Sequence, residues 1–213
     1  GTTASGRTAR IISASHAAST VSLLRVLRFD DPLPLRPRRV LVAGVSGAGK
    51  STLARRIARV LDAPYTELDA LYHGPEWTPR EGFVEDVRML ADQPSWTTEW
   101  QYSTARPLLV ERADLLVLLD VPFATVTLPR VVRRTLRRRL HREVLWNGNI
   151  EPPLRTFFHD REHIVRWSIR TRRKYTGRIP QLDADLPHLA IVRLRTQREL
   201  EAWMAGPLAS AAD

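Results

Sequence analysis

Hydrophobic runs and amphipathic stretches alternate along most of this chain. Short runs rich in apolar and β-branched residues predict five strands, at 40–43, 64–68, 95–98, 115–119 and 189–194. Apolar residues at helical spacing predict helices at 50–61, 80–91, 104–112, a long stretch ending near 141, 159–175 and 197–204. This alternation predicts an α/β fold with a parallel sheet, whose ligands gather at the carboxyl ends of the strands.

The N-terminal part of the chain does not follow that alternation. Residues 1–10 are small and polar, 11–29 have an amphipathic pattern, and the proline-rich segment 31–37 ends any helix. We therefore expect a partly helical extension over 1–36 and one domain over 37–213. Arginines interrupt every apolar stretch near the N-terminus, so the sequence predicts no signal peptide there.

The composition excludes several classes of protein. The 213 residues are 43% hydrophobic and 26% charged, which is typical of a globular domain. No run reaches the roughly 18 apolar residues of a membrane span, so we expect no membrane partner. The chain has no cysteine, which excludes disulfides, cysteine-based zinc sites and thiol nucleophiles and is typical of a cytoplasmic protein.

The positive charge of the chain is concentrated in one segment. Residues 121–180 hold 15 Lys and Arg against 4 Asp and Glu, a net charge of +11, although the whole chain carries only +10. The remaining residues are therefore nearly neutral. Such a basic segment favours a polyanionic partner: nucleotide phosphates, a phosphorylated substrate or nucleic acid.

Residues 44–51 fit the phosphate-loop pattern G-x-x-x-x-G-K-[ST] at every fixed position. A predicted strand precedes them and an amphipathic helix follows, which is the context that the pattern requires. Glycines let backbone N–H groups turn toward phosphate oxygens, and the helix start adds its positive dipole end. We expect ATP and Mg²⁺ here, with Lys50 bridging the β- and γ-phosphates and Ser51 binding the metal. The predicted nucleotide contacts are Gly44, Ser46, Gly47, Ala48, Gly49, Lys50, Ser51 and Thr52.

Several further segments make the chain resemble the adenylate-kinase-like group of small P-loop kinases known as DNA topology modulation proteins. They are Glu-Leu-Asp-Ala-Leu-Tyr at 67–72, Trp-Thr-Thr-Glu-Trp-Gln-Tyr-Ser at 96–103, Leu-Leu-Asp-Val-Pro at 118–122 and Val-Arg-Leu-Arg at 192–195. The resemblance covers about 38–205. It implies a three-layer P-loop NTPase fold with a five-stranded parallel sheet in the order 2-3-1-4-5. It also implies a substrate-binding helical region after the second strand and an arginine-rich helical lid over about 130–175.

The resemblance also suggests roles for two carboxylates. Asp69 follows the predicted second strand, where related kinases contact the acceptor hydroxyl or the metal, so it is a candidate to accept the acceptor's proton. A turn or helix-cap aspartate is the alternative. Glu99 ends the predicted third strand and is a candidate to hold Mg²⁺ through water, the alternative being a surface glutamate. Trp100 follows it where adenylate kinases have glycine, which predicts an acceptor pocket of another shape.

Asp120 ends the most apolar predicted strand and is a second, weaker candidate for a metal carboxylate. The favoured interpretation is that Asp120, followed by Val121 and Pro122, caps the next helix and turns the chain.

Arginines dominate the segment 130–139. Helical spacing brings four of them near one face, and an apolar stripe runs along the same helix at Leu128, Val132, Leu136 and Leu140. The resemblance implies that lid arginines close over the triphosphate and stabilise the transferring group. We expect Arg133 and Arg137 to be catalytic, and Arg130, Arg134 and Arg195 to contact the nucleotide. Further along, Arg170, Arg172 and Arg173 are candidates to complete this clamp.

The leading hypothesis is an ATP·Mg-dependent kinase that phosphorylates a small-molecule acceptor. One alternative is a nucleic-acid-associated ATPase of the topology-modulation type, motivated by the basic segment. No helix-turn-helix or RNA-binding signature accompanies that segment, so this alternative is not favoured. Another alternative is a nucleotide-binding regulator with low turnover. The sequence leaves the acceptor open, and it leaves the choice between monomer and homodimer open.

Overall fold

A four-stranded parallel sheet forms the centre of the molecule. The computed structural model describes residues 26–141, 143–149, 175 and 178–213. The strands are β1 (Arg39–Gly44), β2 (Trp96–Glu99), β3 (Leu115–Leu119) and β4 (Ala190–Leu194), in the order β2-β1-β3-β4. The register pairs Val42 with Glu99, Gly44 with Leu119, and Leu119 with Leu194. The carboxyl ends of all four strands therefore lie along one edge of the sheet.

Helices connect these strands, as parallel pairing requires. The α-helices of the described residues are α1 (Lys50–Leu61), α2 (Leu68–Tyr72), α3 (Phe83–Asp92), α4 (Ala105–Val110), α5 (Leu128–Leu140), α6 (Arg178–Asp185), α7 (Gln197–Trp203) and α8 (Ala209–Ala212). Short 3₁₀ turns lie at Pro75–Trp77 and Trp146–Gly148, and π-helical turns at Phe123–Thr127 and Met204–Leu208. The predicted α/β class is confirmed.

The sheet is buried on both faces, because side chains alternate along each strand. In β1, Leu41 and Ala43 belong to the core cluster that includes residues of α3 and α4. Val40 and Val42 belong to the opposite cluster, with residues of α1 and α7. Every residue of β3 is buried, as its unbroken apolar sequence predicts.

The prediction of five strands is wrong. Within 64–68 only Tyr65 forms a bridge, to Thr97 of β2, and Leu68 already begins α2. The observed order therefore differs from the predicted order 2-3-1-4-5, because the predicted second strand, which stands at the edge of that sheet, is missing. The remaining four strands have the neighbours that the predicted order gave them. Tyr65 and Thr66 favour a strand locally, but Leu68 is buried as the first residue of a helix instead.

The predicted helix over 11–29 is also wrong where the structure describes it. Leu27 is extended and pairs in parallel with Val192, its N–H donating to Ile191 and its carbonyl accepting from Arg193. Leu27, Phe29 and Leu33 pack on the core cluster beside α1 and α7. The end of the predicted extension thus lies against the edge of β4.

Several predictions fall outside the described residues. These are the extension over 1–25, most of the predicted helix over 159–175, and the arginines of the predicted clamp at Arg170, Arg172 and Arg173. Among the residues that are described, no helix is long and apolar enough to cross a membrane.

Candidate active site

The predicted phosphate loop connects β1 to α1 at the carboxyl edge of the sheet. Gly47 and Gly49 have φ angles of 81° and 98°, in the left-handed region that residues with a Cβ avoid. The Ala48 N–H donates to the carbonyl of Val45 at 3.1 Å, which closes the turn. The Leu53 N–H donates to the carbonyl of Gly49 at 3.0 Å, so α1 begins directly at the loop. Strand, loop and helix have the arrangement in which backbone N–H groups bind phosphate.

Three of the predicted site residues act electrostatically on the amine of Lys50. Its amine lies 3.4 Å from the carbonyl oxygen of Val45. Desolvation by burial lowers the pKa of this amine, the negative charges of Asp69 and Glu99 oppose that shift, and Arg134 adds to it. The folded chain therefore gathers two carboxylates and one guanidinium around the lysine, although these residues are far apart in the sequence.

Glu99 is a buried charge at the end of β2. Only 1% of its surface is exposed. The Tyr65 hydroxyl donates to Oε1 at 2.7 Å and the Leu68 N–H donates to Oε2 at 3.3 Å. Burial raises the pKa of the Tyr65 phenol, and the charge of Glu99 raises it further, so the phenol stays a donor. Glu99 is thus not the surface glutamate of the alternative interpretation.

The donor set fits Mg²⁺ that is held mainly by phosphates. Among the described residues, no cluster of three His, Asp or Glu side chains could hold a metal ion. Both oxygens of Glu99 already accept hydrogen bonds, which suits contact with the ion through water. Mg²⁺ usually keeps several of its waters, and in phosphate-loop proteins it also binds the loop hydroxyl, which is the role predicted for Ser51.

Asp69 lies in the first turn of α2, not after a strand. Its Oδ1 accepts from the Tyr102 hydroxyl at 2.6 Å and from the Gln101 side-chain amide at 2.7 Å. Glu67, two residues before Asp69, forms an ion pair with Arg55 at 3.0 Å. The start of α2 separates Glu67 from Asp69. Of these two residues, only Asp69 acts electrostatically on Lys50.

Sequence reasoning assigned no role to three residues that surround Asp69. Gln101 and Tyr102 hold its carboxylate, and His73 Nε2 lies 3.2 Å from the Tyr102 hydroxyl. The signal for Gln101 and Tyr102 was present: they follow β2 directly, at the edge where ligands gather. His73 carried no such signal, since it comes near only through the turn that follows α2.

Asp120 and Arg193 form an ion pair across the ends of β3 and β4. The Arg193 Nε donates to Asp120 Oδ2 at 2.8 Å, and its terminal NH2 group contacts the same oxygen. Both side chains are 43% exposed. This partner disfavours a metal role for Asp120. The predicted cap is not seen either, because Pro122 precedes the next helical turn and no side chain caps it.

The arginines of α5 do not share one environment. Arg134 is half-buried and acts electrostatically on Lys50, whereas Arg130 and Arg133 are exposed. Arg137 is exposed and lies 3.6 Å from Glu143. Arg195, in the loop after β4, is also exposed.

The buried face of α5 differs from the apolar stripe in its sequence. Val131 and Thr135 are buried, whereas Val132, Leu136 and Leu140 are 38%, 40% and 78% exposed. α5 turns the face that carries Val131 inward, and Val131 packs directly against Gly47.

Trp100 belongs to the core. It is 4% exposed, its indole N–H donates to the carbonyl of Arg106 at 3.2 Å, and its ring centroid lies 5.7 Å from that of Tyr175. The Tyr175 hydroxyl donates to the carbonyl of Trp100 at 3.2 Å, and burial raises the pKa of this phenol to about 12. The large residue at this position therefore fills the interior beside the site.

No protein-family model matches the chain. Among solved structures it is similar to a gluconokinase from Sinorhizobium meliloti 1021, with 20% identity, 84% of this chain and 95% of that chain covered, and a TM-score of 0.48. A sugar kinase from Janibacter sp. HTCC2649 has 22% identity, coverages of 79% and 90%, and a TM-score of 0.46. A shikimate kinase from Bacteroides thetaiotaomicron has 16% identity, coverages of 79% and 95%, and a TM-score of 0.45. Similarity at this level does not extend to activity.

Proposed function

We propose that this chain is a kinase that transfers the γ-phosphoryl group of ATP to a hydroxyl group of a small acceptor. One observation supports the proposal above the others. Lys50 begins α1 at the sheet edge where β2 ends in the buried Glu99, and the negative charges of Asp69 and Glu99 both raise the pKa of its amine. A phosphate site with one carboxylate for the metal and another for the acceptor suits transfer to a second substrate.

In this proposal each group around the loop has a separate task. Backbone N–H groups of 44–51 and the Lys50 amine bind the β- and γ-phosphates. Mg²⁺ supplies neutralisation of phosphate charge, with Ser51 and Glu99 as its protein contacts. Asp69 accepts the proton as the acceptor oxygen bonds to the γ-phosphorus, and the bond from that phosphorus to the β–γ bridging oxygen breaks to release ADP. Arg134 stabilises the negative charge on the transferring group.

A screen of acceptors tests the proposal. Purified chain with ATP and Mg²⁺ is offered nucleosides, nucleotides, sugars and amino alcohols, and ADP formation is measured. We expect at least one acceptor to raise ADP formation well above hydrolysis by water. Lys50→Met removes the amine while keeping length and apolar stem, and we expect it to lower transfer at least about 100-fold. If no acceptor class raises ADP formation, the kinase proposal is wrong.

The exposed side of α5 favours the nucleic-acid-associated ATPase as a second candidate. Arg130 and Arg133 are exposed, and Arg137 is 63% exposed at its side chain. Arginines that point to solvent are available to a polyanion larger than a nucleotide.

A salt titration of duplex DNA binding tests this candidate. Binding to DNA phosphates weakens steeply as salt rises, because counterions are released on binding. If this candidate is right, the double change Arg130→Ala and Arg133→Ala weakens binding and reduces the salt slope by about 2. Arg88→Ala, at an exposed arginine of α3, is the matched control. Absence of binding at physiological salt would exclude the candidate.

A further inference from the structure

Tyr102 connects Asp69 to the loop that follows α2. Its hydroxyl donates to Asp69 Oδ1 at 2.6 Å and lies 3.2 Å from Nε2 of His73. A carboxylate can only accept, so the phenolic hydrogen is directed to Asp69, and His73 donates to Tyr102 only in the tautomer that carries its hydrogen on Nε2. In that tautomer the hydrogen bonds run from His73 to Tyr102 and from Tyr102 to Asp69. Burial raises the pKa of the Tyr102 phenol, and the charge of Asp69 raises it further, so the hydroxyl keeps its hydrogen at any physiological pH.

The two oxygens of Asp69 have different surroundings. Oδ1 accepts from both Tyr102 and the amide of Gln101. None of the described residues donates a hydrogen bond to Oδ2. Oδ1 is therefore held in place by two donors, whereas within the described part of the chain Oδ2 has none. This division suits a group that must receive a proton along a defined direction.

The backbone and ring of Tyr102 are held in an unusual conformation. Its φ of 58° lies in the left-handed region, which is uncommon for residues with a Cβ and persists where surrounding contacts enforce it. The ring stacks on Tyr72 with centroids 4.0 Å apart and meets Phe83 edge-on at 5.3 Å. These contacts aim the hydroxyl at Asp69, although Tyr102 lies beyond the end of β2.

We propose that Tyr102 is a positioning residue, whose hydroxyl orients the free oxygen of Asp69 toward the acceptor hydroxyl. The inference rests on the proposed kinase function, because it gives Asp69 an acceptor to deprotonate. Tyr102 itself forms and breaks no bond. Its loss should therefore slow transfer without weakening the binding of ATP, since its side-chain hydrogen bonds and ring contacts with described residues go to Asp69, Tyr72, His73 and Phe83 and not to the loop.

Tyr102→Phe removes the hydroxyl and keeps the stacked ring. Tyr72→Phe is the matched control, because it makes the same change on the other ring of the stack, whose hydroxyl has no hydrogen bond among the described residues. With the acceptor that the screen identifies, we expect Tyr102→Phe to lower kcat about 10- to 100-fold with an unchanged KM for ATP. Tyr72→Phe should stay within about 3-fold of the parent. Equal kcat values for the two variants would overturn the inference.

A second measurement needs no acceptor. In protein labelled with ¹³C at aspartate carboxyl groups, the Asp69 signal is assigned by its loss in Asp69→Asn. We expect Tyr102→Phe to shift this signal and Tyr72→Phe to leave it in place. An unshifted signal in Tyr102→Phe overturns the inference even if the screen finds no acceptor, whereas a failed screen alone rejects only the kinase proposal. If Tyr102→Phe does not fold, Gln101→Leu removes the other donor to the same oxygen. It should then lower kcat and shift the Asp69 signal in the same way.

Discussion

Gly47 of the phosphate loop lies directly against Thr127, at the turn before α5. A β-carbon built on Gly47 would come within 2.5 Å of the carbonyl oxygen of Thr127 and within 2.6 Å of Cγ2 of Val131. Both neighbours are buried, so neither can move aside freely. The predicted phosphate loop and the helix that carries Arg134 therefore share a contact that leaves no room for a side chain.

Gly47→Ala should damage both folding and ATP binding. The change adds a clash with backbone to an unfavourable φ of 81°, and we expect a loss of about 2–4 kcal/mol in the free energy of unfolding. Gly49→Ala has a comparable φ of 98° with no atom within 4 Å, so we expect a loss of only about 1–2 kcal/mol. Urea denaturation and titration with a fluorescent ATP analogue measure the two effects. Gly82→Ala, in open space at an ordinary φ, should be neutral. Equal losses for Gly47→Ala and Gly82→Ala would contradict the observed contact.

Glu99→Gln should change how turnover depends on Mg²⁺. The amide keeps the size of the side chain but removes the negative charge near Lys50. We expect kcat to fall about 10- to 100-fold and the half-saturating Mg²⁺ concentration to rise. Steady-state ATP consumption across a Mg²⁺ series measures both. Glu67→Gln is the control, because that carboxylate forms an ion pair with Arg55 and should leave the Mg²⁺ dependence unchanged. Identical Mg²⁺ curves for Glu99→Gln and the parent would show that Glu99 has no metal role.

Arg134 and Arg133 should differ in importance although they are adjacent in the sequence. Arg134 is half-buried and acts on Lys50, whereas Arg133 is exposed. We expect Arg134→Ala to lower kcat/KM for ATP about 10- to 100-fold and Arg133→Ala to change it less than about 3-fold. Initial-rate kinetics on the two variants check this. The reverse ranking would support the catalytic role that the sequence predicted for Arg133.

Acid should destabilise the folded chain through His73. Burial lowers the pKa of this imidazole below its ordinary value of 6.5, although Asp69 and the backbone of Trp77 raise it in part. Between the lowered pKa and 6.5 the unfolded chain binds a proton that the folded chain does not, so stability falls as the pH falls through that window. Urea denaturation between pH 7 and 5 measures the effect. We expect the free energy of unfolding to fall less between pH 7 and 5 in His73→Gln than in the parent. His188→Gln, at an exposed histidine, should show the same fall as the parent. A loss of equal size in His73→Gln would assign the acid sensitivity to other groups.

Elements with strong local signals were predicted well. The helix predicted over 50–61 agrees with α1 at both ends, and the strand predicted over 115–119 agrees with β3. A glycine-rich turn marks the start of the first, and an unbroken apolar run marks the second. The segment 64–68 failed because a strand needs a partner along its length, and here only Tyr65 finds one.

The sequence by itself determined the α/β class, the strand–loop–helix arrangement around the predicted phosphate loop and the place of Glu99 at the end of a strand. These features depend on glycine positions and on periodicity over a few neighbouring residues, which a sequence displays directly. Only the tertiary structure decided that Arg134 is half-buried and lowers the pKa of Lys50 whereas Arg133 is exposed, and that Tyr102 donates a hydrogen bond to Asp69. A helix with two possible buried stripes is oriented by what packs on it, here Gly47, and a hydrogen bond between residues 33 positions apart exists only once the chain has folded.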